Sequence, residues 1–467
     1  MMPQLSEELV QLIFSHLRVS TSAPNKRGQI DRVGPKTLAS ACLVSKTFLR
    51  VAQPELYHTL DLRYYGSPRR LLTSIAHRRE LAACVRKVYI ESWATQEDVD
   101  NEGPTTSPPE PALASEFSQL VEAIAFSTPL QDRLLVGLRD GLEDAEFALL
   151  LASCWNVEFL QFSAVFDLPS TLTAEVVRAA STQANDTTRY NPPLRRIHEL
   201  HVDHWDTEDS TDLADLSGFL QLPALETLHG NMLSLGEESE PLPTSNLKQV
   251  SLQWSVFDAS GFSNLLSACP QLTSLTVEWG GASVGESEIK FDEIGAALRD
   301  HGTALRKLRL DPKDAEEFSG EEHDAPLGDL TSLTSLRSLT VPQAALLGEN
   351  TLDDEDGEDS DMPPSFLAST LPHSIETLRI LLCDNEDVKT LDEQLWHLMS
   401  DKEFSALKAI RMNRSEKYSR VPTQLGWSDP SSNKFWVVLE KHGQDDSQVH
   451  GILRPGPDDP VSAQYSS

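Results

Sequence analysis

Three short stretches carry residue types at spacings that chemistry could use. Gly281-Ala282-Ser283-Val284-Gly285 fits the GxSxG nucleophile elbow and follows an apolar run. An elbow needs a helix to begin directly after the serine, so that the hydroxyl stands clear of the sheet. Here the acidic Gly285-Glu286-Ser287-Glu288 follows, so a loop is expected and not a hydrolase. The segment His198-Glu199-Leu200-His201-Val202-Asp203-His204 invites a metal, but HExxH would need histidine where Val202 stands. As a strand it puts Glu199, His201 and Asp203 on one face, with His198, Leu200, Val202 and His204 on the other. A recognition patch is expected there before a metal centre. The acidic run before Gly357 resembles a calcium loop, but Leu352 and Pro363 fill the first and twelfth ligand positions. No phosphate-cradling GxxxxGK or GxGxxG occurs. No catalytic residue, cofactor or metal is expected.

Composition narrows the partners. A net charge of −33 and a pI near 4.7 exclude a basic surface for nucleic-acid phosphates, and disfavour an anionic membrane equally. Hydrophobic content of 39% suffices for a large core. Cys42, Cys84, Cys154, Cys269 and Cys383 are odd in number and never form CxxC, which predicts buried reduced thiols in a cytoplasmic or nuclear protein. There is neither a signal peptide nor an apolar run long enough to cross a membrane, so the sequons at Asn185 and Asn413 carry no meaning.

One pattern dominates the chain: apolar, two variable residues, apolar, one variable, apolar. It occurs as YHTLDL from Tyr57, VRKVYI from Val85, VEFLQF from Val157, IHELHV from Ile197 and LKQVSL from Leu247. It continues as LTSLTV from Leu272, LRKLRL from Leu305, LRSLTV from Leu336, IETLRI from Ile375 and LKAIRM from Leu407, with a weaker LETLHG at Leu225. Alternation at the end of each unit is strand periodicity, while intervening EFALLLASC and FSNLLSAC are helix-like. Cys154 and Cys269 each stand three residues ahead of a unit. Strand, turn and helix at this period predict an α/β solenoid with a parallel inner sheet over residues 58–454. KFWVVLEKHG near Phe435 reads as a closing strand, and 455–467 as a flexible tail. The acidic, proline-rich stretches 95–111 and 351–364 are expected to be disordered insertions.

The first 57 residues are different. Leu5, Leu9, Ile13 and Leu17, with Leu12 and Phe14, make one wide apolar helix face. Ser6 is a candidate N-cap, with Glu7 and Glu8 in the first turn. Gly34-Pro35 starts further helical sequence carrying Leu38, Cys42, Val44, Phe48 and Ala52, and Pro54 is expected to end it before Leu56 and Tyr57. So small a module cannot bury all of Leu5, Leu9, Ile13, Phe14, Leu43 and Val44 by itself. Either the solenoid covers them, as it would with an ordinary cap, or a partner does.

The strings P-x-L-x-x-E-L-x-x-x-I-F-x-x-L and L-V-S-K-x-F-x-x-x-A-x-P-x-L-Y resemble the F-box. The match runs through Pro3, Leu5, Glu8, Leu9, Ile13, Phe14, Leu17, Leu43, Val44, Ser45, Lys46, Phe48, Ala52, Pro54, Leu56 and Tyr57. The spacer between Leu17 and Leu38 is longer than the family has. The whole is similar to the leucine-rich-repeat class of F-box proteins in its irregular fungal style. It departs where Asn or Cys normally follows the strand: Trp93, Gly280 and Lys313 stand there, and only Cys383 fits. The resemblance implies a non-catalytic substrate receptor. Residues 1–57 would bind the Skp adaptor of a Skp–cullin–F-box ubiquitin ligase, through Pro3, Leu5, Leu9, Ile13, Phe14, Leu17, Leu43, Val44 and Phe48. The solenoid would bind the target protein. The alternative is a repeat scaffold whose first helices only cap the array.

For the target, the polar positions flanking each unit's central apolar pair should line the inner sheet. Lys307, Arg309, Arg379 and Arg411 then form a basic strip, opposed by Asp311, while Glu91, Glu199, Asp203 and Glu278 fall elsewhere on that face. Side chains at equivalent positions of parallel strands stack about 4.8 Å apart, so an extended acidic or phosphorylated segment is the expected ligand.

Overall fold

The computed structural model describes residues 6–18, 33–63, 67–103, 106–124, 126–165, 167–183, 192–204, 209–280, 289–312, 325–348, 363, 365–382, 388–413, 427–428 and 437–441. Three helices come first: α1 Glu7–Ser15, α2 Val33–Ala41 and α3 Lys46–Tyr57. The Ser6 hydroxyl accepts from the Leu9 N–H at 3.4 Å, and Ser45 accepts from the Phe48 N–H at 3.1 Å, so both caps satisfy orphan donors. Helix α3 runs on through Pro54, against the expected break. Lying in the last turn, the proline removes only one late hydrogen bond.

Beyond Tyr57 each repeat unit delivers its strand. They are β1 Thr59–Asp61, β2 Lys87–Tyr89, β3 Phe159–Ser163, β4 Glu199–Asp203, β5 Thr211–Asp212, β6 Thr227–Asn231, β7 Leu233–Leu235 and β8 Gln249–Phe257. There follow β9 Ser274–Trp279, β10 Lys307–Asp311, β11 Ser338–Pro342, β12 Thr377–Leu381, β13 Ala409–Met412, β14 Trp427–Ser428 and β15 Val437–Lys441. From β1 to β13 the main sheet is parallel throughout, with β5 and β7 forming a small side ladder against β8. The expected closing strand is β15, and it pairs with β13 antiparallel.

One register explains why the unit repeats. Leu60, Val88, Leu160, Leu200, Leu228, Val250, Leu275, Leu308, Leu339, Leu378 and Ile410 are partners in turn across the sheet. All are buried, forming one continuous apolar column. Helices α4 Pro68–His77, α5 Gln96–Glu102, α6 Pro111–Ala123, α7 Thr128–Asp140, α8 Glu143–Ser153 and α9 Leu172–Gln183 link the earlier strands. α10 Ser217–Leu220, α11 Ala259–Ala268, α12 Phe291–His301, α13 Gln343–Leu347, α14 Phe366–Thr370 and α15 Val388–Ser400 link the later ones. Cys154 and Cys269 occupy equivalent places, as the buried C-caps of α8 and α11, and burial pushes both thiols up to about 12. Cys42 and Cys84 are only half-buried, and Cys383 lies outside the described residues.

Residues 95–103 and 106–111 depart from the expectation of a disordered insertion over 95–111. Thr95 and Asp98 form a reciprocal capping box that starts α5 (2.7 and 3.3 Å), and Val99 packs on the core. Beyond it, Arg69 donates to the Ser107 carbonyl and Thr106 to that of Gly141. These local contacts offset the ordering entropy that composition alone suggested would prevail. Residues 351–362 and 364 lie outside the described set.

Arg69 also reaches the fully buried Glu146 at 2.5 Å. Burial pushes the Glu146 carboxyl up from 4.5 to about 7, with Arg69 pulling the other way. Between those pH values the native state holds a proton that the unfolded chain releases, so this group's contribution to stability falls as pH rises. Glu146→Gln should therefore flatten the decline of the urea midpoint between pH 5 and pH 7.5. Identical slopes in the two proteins would contradict this. No helix among the described residues is long and apolar enough to cross a membrane.

Candidate interaction surfaces

The N-terminal helices have a core of their own, Val10, Phe14, Leu38, Ala41, Val51 and Ala52, separate from that of the solenoid. Phe14 and Phe48 meet edge-to-face at 5.5 Å within it. Helix α3 lies against both α1 and α2, and its far end touches β1 and the short turn of helix at Arg79–Cys84. Among the described residues the bundle meets the solenoid through this end of α3.

On its other side the apolar side chains stay in solvent. Leu9, Leu12 and Ile13 share one face of α1 and are about half exposed, while Val33, Leu43 (88%) and Val44 are more so. Among the described residues only Val136, Trp254 and Trp396 join them as exposed large hydrophobics. Six of the nine thus belong to this module. Of the sequence's candidates, Leu9, Ile13, Leu43 and Val44 present themselves for contact. Phe14 does not: it is 8% exposed and holds the three helices together, with Leu17 and Phe48 packed against the same core. Ile13 and Phe14 are adjacent, but one step along a helix is a turn of about 100°, enough to move a side chain from surface to core. Pro3 and Leu5 lie outside the described residues.

The second surface is the open face of the sheet, opposite the helices. Asp61, Tyr89, Gln161, His201, His229, Ser251, Thr276, Arg309, Thr340, Arg379 and Arg411 are register partners along it. Arg309, Arg379 and Arg411 share one column, with Thr340 standing between Arg309 and Arg379, and Lys307 stands exposed in the neighbouring column. The strip is less cationic than its residue types imply. Arg309 contacts Asp311 at 2.6 Å and Glu278, on the adjoining strand, at 3.1 Å, both acids being buried. Glu278 is therefore part of this cluster and not a separate acid, because the β9–β10 register sets it beside Asp311. The Arg411 Nε is buried without a hydrogen-bond partner.

Toward the other end the same face carries a ladder of rings that sequence reading missed. Tyr89 and Phe159 lie 4.8 Å apart, Phe159 and His201 4.8 Å, and His201 and His229 4.3 Å. Arg63 lies over Tyr89 and Lys87 over Phe159. Within β4 the expected split appears, with Leu200 and Val202 fully buried and Glu199, His201 and Asp203 on the open face, whereas His198 is exposed and His204 half-buried, both outside the strand. His201 joins Glu199 at 2.8 Å, and Asp203 accepts from Gln161 at 2.9 Å. His229, in the weakest repeat unit, is brought beside His201 by register alone. Burial holds its ring below the usual histidine value. Ser283 and its flanking glycines, Gly281 and Gly285, lie outside the described residues.

No protein-family model matches the chain, and no curated protein matches it. Among solved structures it is similar to an internalin of Listeria monocytogenes, at 11% identity and TM-score 0.30 over 72% of this chain and 69% of that one. It is similar also to the leucine-rich-repeat-containing protein LegL7 of Legionella pneumophila, at 13% identity and TM-score 0.30 over 73% and 96%. Likeness at that level carries no argument; the architecture rests on the strand register.

Proposed function

We propose that this chain is a two-ended interaction protein, a substrate receptor whose N-terminal helices dock on the Skp adaptor of a Skp–cullin–F-box ubiquitin ligase and whose open sheet face holds the target. The observation that carries the reading is the exposure of Leu9, Leu12, Ile13, Val33, Leu43 and Val44 on a bundle that already has its own core. Apolar side chains concentrated in this way suit a partner's groove, and four of them, Leu9, Ile13, Leu43 and Val44, fall on positions of the F-box resemblance. On the target side Lys307, Arg379 and Arg411 would receive an acidic or phosphorylated segment, through the paired N–H groups that arginine offers to carboxylate and phosphate. Arg309 is held by its own acids and would position its neighbours.

The test is co-expression with the Skp adaptor and capture on a tag. Leu9→Asp combined with Ile13→Asp removes two apolar contacts and buries two carboxylates in their place, so capture should fall about 100-fold or more. Both residues are half exposed in the free chain, so its thermal transition should be unchanged. Undiminished capture would sink the adaptor reading. The contact of α3 with β1 supports a second reading, in which the helices serve only as a cap. In that case the double substitution would leave every partner bound, and deleting residues 1–44 would lower the solenoid's melting temperature.

A further inference from the structure

We infer that Glu199, His201 and His229 form a binding site for a divalent transition-metal ion of the zinc class, on the open face of the sheet at β4 and β6. One ligand atom from each of the three lies within 4.8 Å of the other two. Ligands on zinc at 2.0–2.1 Å in a tetrahedron stand roughly 3.3 Å apart. The Glu199–His201 pair at 2.8 Å is already inside that spacing, and the His229 ring needs only a side-chain rotation, because it is exposed.

The backbone supplies the precision. His201 and His229 are direct register partners on parallel strands, and Glu199 precedes His201 by two residues, on the same face. Phe159 packs on His201 from the side away from His229, which limits where that ring can go. Asp203 is turned toward Gln161 and stays out of the set. Without an ion, two imidazoles sit 4.3 Å apart beside the Glu199 carboxylate. A divalent cation would take a lone pair from each ring and the charge of Glu199 together. Two imidazoles and one carboxylate favour zinc, copper or nickel over calcium or magnesium, which prefer all-oxygen sites. Three protein ligands leave the fourth position open toward solvent, where water or a bound protein's side chain can enter. The net charge of −33 raises the local concentration of cations.

The experiment uses the full chain, stripped with a chelator and titrated with Zn²⁺ alone by calorimetry; Co²⁺ absorption reads the coordination geometry. One saturable equivalent with micromolar or tighter affinity is expected, with a tetrahedral cobalt spectrum. His229→Gln should weaken zinc at least about 100-fold, since loss of even an outer partner costs 10–100-fold, and Glu199→Gln should weaken it too. His198→Gln, immediately before the same strand and outside the set, should leave it intact. Equal melting temperatures of all four proteins in chelator would separate a lost ligand from a lost fold. No saturable equivalent in the unaltered chain, or undiminished binding by His229→Gln, overturns the site.

Discussion

Asp144→Ala should lower unfolding stability by about 3–5 kcal/mol, measured by urea titration. The carboxylate is 1% exposed and accepts from the Trp93 indole at 2.9 Å, the Leu172 N–H at 2.6 Å, and the Thr173 N–H and hydroxyl at 3.1 and 2.7 Å. Leu172 and Thr173 open helix α9, so a side chain of α8 serves as the N-terminal anion for the next helix. Burial pushes the Asp144 carboxyl up, with the Thr173, Leu172 and Trp93 donors pulling it down. Truncation would strand three N–H groups away from water, each unmet donor costing about 1–3 kcal/mol. Asp144→Asn keeps the shape and one acceptor and should fall between. Stability of Asp144→Ala within about 0.5 kcal/mol of the parent would show that water reaches those donors.

Gly295→Ala should destabilise by about 3 kcal/mol, although alanine is the better helix former by nearly 1 kcal/mol. A Cβ on Gly295 in α12 would lie 1.9 Å from the Leu327 carbonyl oxygen. That carbonyl cannot retreat easily. Arg299 donates to it at 2.8 Å, the Leu327 N–H is held by Ala345 at 2.9 Å, and Leu330 is tied to Thr370 at 2.7 Å. Gly218→Ala in α10 is the control, because its nearest neighbour would be 3.6 Å away. Melting temperatures should fall for Gly295→Ala and hold or rise for Gly218→Ala. If the two variants melt alike, helix propensity and not close approach governs these positions.

The strand array was legible because a buried column leaves a mark on every turn of the chain. Even LETLHG, whose last apolar place is Gly230, falls in register, as β6. Helix α5 was hidden by its charge, although Thr95 and Asp98 stood at capping-box spacing. The surface residues were legible by type and not by partner. Nothing near Arg309 in sequence names Glu278, and nothing near His201 names His229, since both pairings are made by strand order across at least 28 residues. Phe14 was misplaced because a wide apolar face looks the same in sequence whether it turns inward or outward.

The reversal of direction at β15 has a consequence for how long the array can grow. Each parallel strand is a template for another of the same direction, and a row of such strands has no intrinsic end. Here β13 spends its free edge on an antiparallel neighbour, and the path then stops on the two-residue β14. At the opposite end β1 offers only three residues, with α3 beside it. Among the described residues the ladder thus ends on strands of three and two residues, short templates for a second copy.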